Sequence, residues 1–240
     1  MRSIKMKKNL MVATIFSAVA TIVTVGTVQA QSKFEGLYGQ LGIGYENTHP
    51  SLSYGNVSVT GTGPFVGNYP MTSSVGNSNS FAGTVTAGFT FPMNKDFLLG
   101  IGAEYSPIAS NTQNYSASGS GLTANGQYNK ENSYNIFLSP SFPMGDDGLL
   151  YAKVGYTVAV VKSQYTGGNG TTDSLNGYSI GLGYKQIIQG GLYGFGEINY
   201  AKYMDKTINQ VATVGTYNIS QDTTMSASTY NILVGIGYKF

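Results

Sequence analysis

The amino-acid sequence predicts an all-β protein: a transmembrane, antiparallel, up-and-down β-barrel of eight strands, preceded by a cleaved signal peptide. Three observations predict it. The chain begins with an export signal, its remainder is poor in charge but rich in glycine and tyrosine, and apolar residues alternate with small or polar ones in eight segments. Alternation with a period of two is typical of strands whose two faces meet different surroundings.

Residues 1–30 have the three parts of a secretory signal peptide. Four basic residues lie between positions 2 and 8, an apolar run covers 10–25, and Val28 and Ala30 supply small residues at positions −3 and −1. We therefore predict Sec-type export and cleavage between Ala30 and Gln31, which leaves 31–240 as one outer-membrane β-barrel. The alternative is a retained membrane anchor, but the apolar run is shorter than the roughly 20 residues that a spanning helix needs.

The composition excludes several classes of protein. Only 10% of residues are charged, whereas water-soluble domains usually hold about 25%. Four of the 13 basic residues belong to the predicted signal, so nine basic residues face 11 acidic ones and the exported chain has a net charge of −2. That charge gives no sign of nucleic-acid binding. Because cysteine is absent, the chain has neither disulfides nor thiolate metal sites, and we expect no cofactor or metal.

Eight segments of alternating residues are the predicted strands. They cover about 37–45, 81–91, 99–106, 133–142, 152–160, 178–185, 192–200 and 230–240. Short turns at 92–96, 143–148 and 187–191 alternate with long links at 47–78, 107–131, 163–173 and 203–227. Short periplasmic turns and long external loops are typical of a transmembrane barrel. Asn125-Gly126 and Asn169-Gly170 predict hairpin turns within two of the long links.

Three of the charged residues that face inward in this alternation are expected to lie at a similar depth. They are Glu104, Lys153 and Glu197, on the third, fifth and seventh predicted strands. An eight-stranded barrel has an interior that side chains just fill. The cluster is therefore interpreted as an ion-paired plug, and a gate over a narrow ion path is the alternative. Inward glycines such as Gly44 and Gly237 are expected to make room for larger neighbours.

His49 is the only histidine, and it lies beside Pro50 in the first predicted external link. A barrel hydrolase or acyltransferase needs a histidine paired with Ser, Asp or Glu. No strand of the predicted barrel offers such a pair. We therefore expect His49 to be a solvated loop residue, and we assign no catalytic residue.

The chain resembles the small outer-membrane barrels of the OmpA and OmpX type, within the porin-like β-barrel family, over about 31–240. The resemblance is carried by the alternating end Tyr230-Asn-Ile-Leu-Val-Gly-Ile-Gly-Tyr-Lys-Phe240 and by Gly-Phe-Gly-Glu-Ile-Asn-Tyr at 194–200. It implies that Tyr238 and Phe240 form a signal for the barrel-assembly machinery. It also implies contact with outer-membrane lipid, lipopolysaccharide and periplasmic chaperones. We expect no counterpart of the peptidoglycan-binding domain that the longer family members carry.

These observations favour a non-enzymatic barrel of the Gram-negative envelope with a structural or surface-interaction role. Its long loops would present a surface for adhesion or recognition, with an extracellular ligand that the sequence does not identify. The alternative is a narrow passive channel for ions or small hydrophilic solutes. A lipid-modifying enzyme comes third.

Overall fold

A computed structural model describes residues 32–119 and 122–240, which form twelve β-strands. The predicted signal peptide at 1–30 and the predicted cleavage site between Ala30 and Gln31 lie outside the described residues. The described part of the chain contains no helix long and apolar enough to cross a membrane. The strands are β1 (Gly36–Tyr54), β2 (Val57–Gly61), β3 (Gly67–Tyr69), β4 (Thr72–Val75), β5 (Ser78–Asn94), β6 (Phe97–Ser106), β7 (Gln113–Gly119), β8 (Leu122–Met144), β9 (Gly148–Tyr165), β10 (Gly170–Gln189), β11 (Leu192–Val214) and β12 (Tyr217–Lys239).

Eight of the twelve strands close into a ring. Its order is β1, β5, β6, β8, β9, β10, β11 and β12, and β12 pairs back onto β1. Every pairing in the ring is antiparallel, and the closing pair runs from Tyr38 opposite Lys239 to Tyr54 opposite Thr223. Closure pairs the backbone groups of every strand and leaves no edge exposed to lipid. The predicted eight-stranded barrel is therefore confirmed.

The two faces of the wall differ as the alternation predicts. Large apolar side chains on the outer face are about half exposed, as at Leu41, Ile136 and Ile232, while the polar side chains of Gln40 and Thr86 on the inner face are buried. The exposed apolar residues form the surface that faces lipid. Aromatic pairs border this surface at each end, with Tyr105–Tyr134 and Tyr200–Tyr230 at one end and Phe97–Phe142 and Tyr238–Phe240 at the other. Such pairs are typical of the girdles at membrane interfaces.

Inward glycines provide the space for inward aromatic rings. A Cβ atom at Gly237 would overlap the Tyr193 ring, and one at Gly102 would lie 2.5 Å from Cζ of Phe137. In a barrel of this width, a large side chain on one strand thus requires its neighbour to have none.

The short turns lie at one end of the barrel and the long links at the other. Residues 95–96, 145–147 and 190–191 form the short turns. Periplasmic turns are short in outer-membrane barrels, so this end is periplasmic and the opposite end is extracellular.

The long links are more regular than predicted. β1 continues to Tyr54, β8 begins at Leu122, and β11 and β12 are joined by residues 215–216 alone, with Gly215 at a φ of 61°. Most of 203–227 is therefore strand and not loop. The prediction failed because apolar alternation marks only the part of a strand that faces lipid, and a strand that continues into water does not need it.

The predicted hairpin turn at Asn125-Gly126 is wrong. Both residues lie inside β8, opposite Ser116 and Tyr115 of β7. A Cβ atom at Gly126 would overlap the Tyr115 ring, so this glycine provides space and not a turn. By contrast, Asn169 does lie in the turn between β9 and β10.

Strands β4 and β7 complete the wall above the membrane. β5 begins only at Ser78 and β6 ends at Ser106, which would leave a gap between β1 and β8. β7 pairs with β8 and with β4, and the hydroxyl of Ser73 on β4 donates a hydrogen bond to the Leu52 carbonyl of β1. The extracellular wall therefore has eight strands again, with β4 and β7 in the places of β5 and β6.

Candidate functional site

The structure brings together the three inward charges named from the sequence. The Lys153 ammonium lies 2.9 Å from Glu104 Oε2 and 2.9 Å from Glu197 Oε1. The side chain of Lys153 is 3% exposed and that of Glu197 is fully buried. β6 and β11 lie on opposite sides of the ring, so these two ion pairs join the walls across the whole lumen. We call these three residues the central network.

Neutral groups supply the further hydrogen bonds and contacts of the central network. The Tyr151 hydroxyl donates a hydrogen bond to Glu197 Oε2 at 2.7 Å, and the Asn199 amide donates one to Glu197 Oε1 at 2.6 Å. Thr86 donates a hydrogen bond to Glu104 at 3.2 Å, and the Phe137 ring lies 4.5 Å from the Lys153 nitrogen. A buried charged network is stable when every member has such partners.

Lys185 adds a fourth inward charge that sequence reasoning did not connect to the site. It is buried, and no carboxylate of the described residues pairs with it. Its ammonium lies 3.9 Å from the ring centre of Tyr38, 5.0 Å from that of Tyr193 and 5.1 Å from that of Tyr151. Aromatic faces attract cations, so three rings take the place of a counter-ion. The sequence did contain this information, since Lys185 and the three tyrosines all face inward in the alternation.

A separate ion pair lies nearer the extracellular side. Lys130 of β8 donates hydrogen bonds to both carboxylate oxygens of Glu46 on β1, at 2.5 and 2.6 Å, and both side chains are buried. We call Glu46 and Lys130 the upper pair. Sequence reasoning missed it because Lys130 was placed in the link at 107–131. A cavity of about 30 Å³ separates the upper pair from the central network, which is room for water but not for a solute.

Apolar side chains close the periplasmic end of the lumen. Phe34, Leu98 and Leu149 form a buried cluster with Ile187 packed against it. The segment that carries Phe34 is held by Lys33, whose ammonium lies 2.6 Å from Asp147 on the turn after β8. The hydrogen bond and charge of Asp147 raise the pKa of Lys33. We call the apolar cluster of Phe34, Leu98, Leu149 and Ile187 the periplasmic plug.

A larger cavity opens above the upper pair, inside the extracellular wall. Its volume is about 440 Å³, and every strand of that wall contributes to its lining. Its floor includes the buried residues Ala159, Leu175, Tyr203 and Ala227. We call this cavity the cup. Nothing in the sequence predicted it, because its wall is made of segments that were assigned to links.

Two of the tyrosine hydroxyls that line the cup have raised pKa values. Burial, and after it the neighbouring Tyr165, raises the pKa of Tyr115 to about 12. Burial also raises the pKa of Tyr128 to about 12. Neither phenol ionises near neutral pH, so both present a hydroxyl group and not a phenolate to the cup.

His49 lies on β1 and not in a loop, which corrects the prediction. Its ring is exposed on the outer face, 6.2 Å from the Tyr230 ring in an edge-to-face arrangement. The prediction failed because β1 continues past Tyr45, and Pro50 lies within it without ending the ladder. No side-chain hydrogen bond joins His49 to another described residue, and those residues hold no group of three or more His, Asp or Glu suited to a metal.

The C-terminal residues lie on the outer face at the periplasmic end. Phe240 is exposed, its ring lies 5.3 Å from that of Tyr238, and its amide donates a hydrogen bond to the Leu37 carbonyl. The aromatic pair is therefore accessible from the lipid side. Its role as an assembly signal stays a prediction.

We expect Phe240→Ser to lower the outer-membrane yield far more than Lys239→Ser. The phenylalanine supplies an apolar ring at the interface, whereas Lys239 is half-buried on the inner face. Quantitative blotting of outer-membrane fractions at equal expression measures the difference. Equal yields of the two variants would remove the assembly role.

The closed ring, the lipid-facing apolar surface and the polar lumen define an integral β-barrel of the bacterial outer membrane. The model of the family described as outer membrane protein beta-barrel domain matches residues 15–240, and the chain belongs to that family. No curated protein matches the chain significantly.

Solved structures of outer-membrane proteins resemble the fold. OprG from Pseudomonas aeruginosa is 14% identical, with 88% of this chain and 99% of that chain covered and a TM-score of 0.48. Ail, the attachment invasion locus protein of Yersinia pestis, is 14% identical, with 82% and 99% covered and a TM-score of 0.37. The outer membrane protease OmpT from Escherichia coli is 9% identical, with 90% and 100% covered and a TM-score of 0.46. The likeness is one of fold and assigns no role to this chain.

Proposed function

We propose that this protein is a non-conducting, non-enzymatic barrel that anchors an extracellular structure for surface interaction, such as adhesion or recognition. The observation that carries the proposal is the height of the wall above the membrane. β12 continues for 13 residues from the girdle residue Tyr230 to Tyr217, and at about 3.3 Å per residue this is about 40 Å of strand. A barrel that served only to span the membrane would not need this extension.

The blocked lumen supports a role other than transport. The central network, the upper pair and the periplasmic plug occupy three successive levels. A hydrated ion would have to separate three buried ion pairs and then pass an apolar cluster. Charges held by several partners in a medium of low dielectric resist such separation.

The tip of the extension supports an interaction role. Phe65, Val66, Val211 and Val214 are exposed there, and the Phe65 ring packs edge-to-face on Tyr217 at 5.9 Å. β2 pairs with β12, so the first link and the last hairpin present these side chains side by side. Exposed apolar patches far from the lipid are typical of contact surfaces.

We infer no enzymatic role, because His49 is exposed and no acid or nucleophile among residues 32–119 and 122–240 is bound to it. The expected contacts in the envelope are lipid and lipopolysaccharide around the apolar surface. The barrel-assembly machinery and periplasmic chaperones are the expected partners during biogenesis.

Planar-bilayer recording of the purified protein tests the proposal. We expect no unitary conductance steps from the wild-type protein, because the lumen is blocked at three levels. Heat-modifiable gel mobility of the same preparation confirms that the barrel is folded, since closed barrels resist SDS until heated. Reproducible unitary steps from folded protein would contradict the proposal and favour the passive channel.

A further inference from the structure

The cup has the size and lining of a small-molecule site. At about 440 Å³ it falls within the 300–1,000 Å³ that is usual for ligand pockets. Aliphatic side chains from six strands of its wall face the space. They include Leu52, Val75, Val161, Leu175, Ile208 and Met225.

The charges in the cup are already compensated. Lys130 and Asp173 are the charged residues in the lining. Lys130 is bound by both oxygens of Glu46, and Asp173 accepts a hydrogen bond from Lys206 at 2.7 Å. A charged ligand would have to compete with these pairs, and burying an unpaired charge is costly. The cup therefore favours an uncharged ligand.

One fully buried polar atom of the lining lacks a hydrogen-bond partner among the described residues. Thr223 is buried on β12, and its hydroxyl makes no hydrogen bond to any described residue. It is inward by alternation, in line with Met225 and Ala227, and it lines the cup. The oxygen of this hydroxyl is itself shielded from the space of the cup, so Thr223 offers no exposed polar group to a ligand and lines the cup with its apolar atoms.

We propose that the cup binds an uncharged, mainly apolar small molecule. The proposal rests on the surface-interaction function above and gives that function a ligand class. The aliphatic wall holds the body of the molecule, and the blocked lumen beneath retains it at the extracellular side.

The absence of tryptophan from the sequence permits a direct test in phosphatidylcholine vesicles. Ile208→Trp places one indole in the cup wall, and Leu182→Trp places one on the lipid face. The probe is 4-bromophenol, which is neutral at neutral pH and quenches indole fluorescence on contact. We expect saturable quenching in Ile208→Trp and only linear quenching, from partitioning into lipid, in Leu182→Trp.

Matched substitutions in the Ile208→Trp background locate the site. Ala227→Phe fills the cup from its floor and should raise the half-saturating concentration at least about tenfold, as expected when a ligand loses its pocket. Ala103→Phe, on the lipid face, should leave it unchanged.

Equal, linear quenching at both tryptophans would overturn the cup proposal, even if bilayer recordings remain silent. Saturable quenching that Ala227→Phe does not weaken would overturn it as well. Conductance steps in the wild-type protein would instead overturn the proposed function, whatever the quenching shows. If Ile208→Trp fails to give a heat-modifiable band, Gln210→Trp at the rim of the same cup serves as the reporter.

Discussion

Lys153→Ala should unfold at a much lower urea concentration than the wild-type protein in lipid vesicles. The substitution leaves Glu104 and Glu197 facing each other across the lumen without the cation that lies 2.9 Å from each. Removing one member of a buried charged network costs roughly 3–5 kcal/mol, because the remaining charge stays buried. Protonation of a carboxyl and entry of water will offset part of this, so we expect about 3 kcal/mol.

Lys162→Ala is the matched control, because Lys162 lies on the same strand, is exposed, and has no ion pair among the described residues. It should change the free energy of unfolding by no more than about 0.5 kcal/mol. Adding Glu104→Gln and Glu197→Gln to Lys153→Ala should recover much of the lost stability, since the unpaired charges are removed with their partner.

Two results would contradict the interpretation of the central network as an ion-paired block of the lumen. If Lys153→Ala and Lys162→Ala unfold at the same urea concentration, the three residues do not act as a network. If Lys153→Ala conducts in planar bilayers while its stability is little changed, the network is a gate. The passive channel would then be the better description of the protein.

The sequence predicts the membrane wall well, because lipid imposes a period of two on every residue of that wall. Once Ile101 and Val154 are assigned to the outside, Glu104 and Lys153 must face the lumen. The number of strands follows from the same constraint, and the ring of eight agrees with it. What the alternation fixes is the face of each residue, not its partner. This is why Lys185 could be placed in the lumen but not beside three tyrosines.

The extracellular wall could not be predicted, because no lipid-facing pattern extends into it. Lys130 lies on a strand whose outer residues there are Glu131 and Asn129, so nothing in the local sequence separates it from a loop. The cup further depends on β4 and β7, which pair with each other across about 40 positions of sequence. Pairing at that distance between short polar segments has no signal in hydropathy. The cup therefore emerges only from the three-dimensional arrangement.

Gly44→Ala should destabilise the barrel, whereas Gly196→Ala should not. A Cβ atom at Gly44 would overlap the carbonyl oxygen of Ile232 on the neighbouring strand and lie 3.0 Å from the Cα atom of Leu233. Backbone atoms cannot move aside as a side chain can, so β1 and β12 would have to separate at the seam that closes the ring. Overpacking of this kind costs about 1–3 kcal/mol.

Gly196 is the matched control for that substitution. It lies in β11, next to the same closing strand, and a Cβ atom there would meet nothing within 4 Å. Alanine restricts the unfolded chain more than glycine does, so Gly196→Ala should be neutral or slightly stabilising, within about 0.5 kcal/mol. Urea unfolding of both variants in the same vesicles gives the comparison. Equal midpoints would mean that β1 and β12 adjust to a methyl group at the seam, and that close approach there is not what requires glycine at position 44.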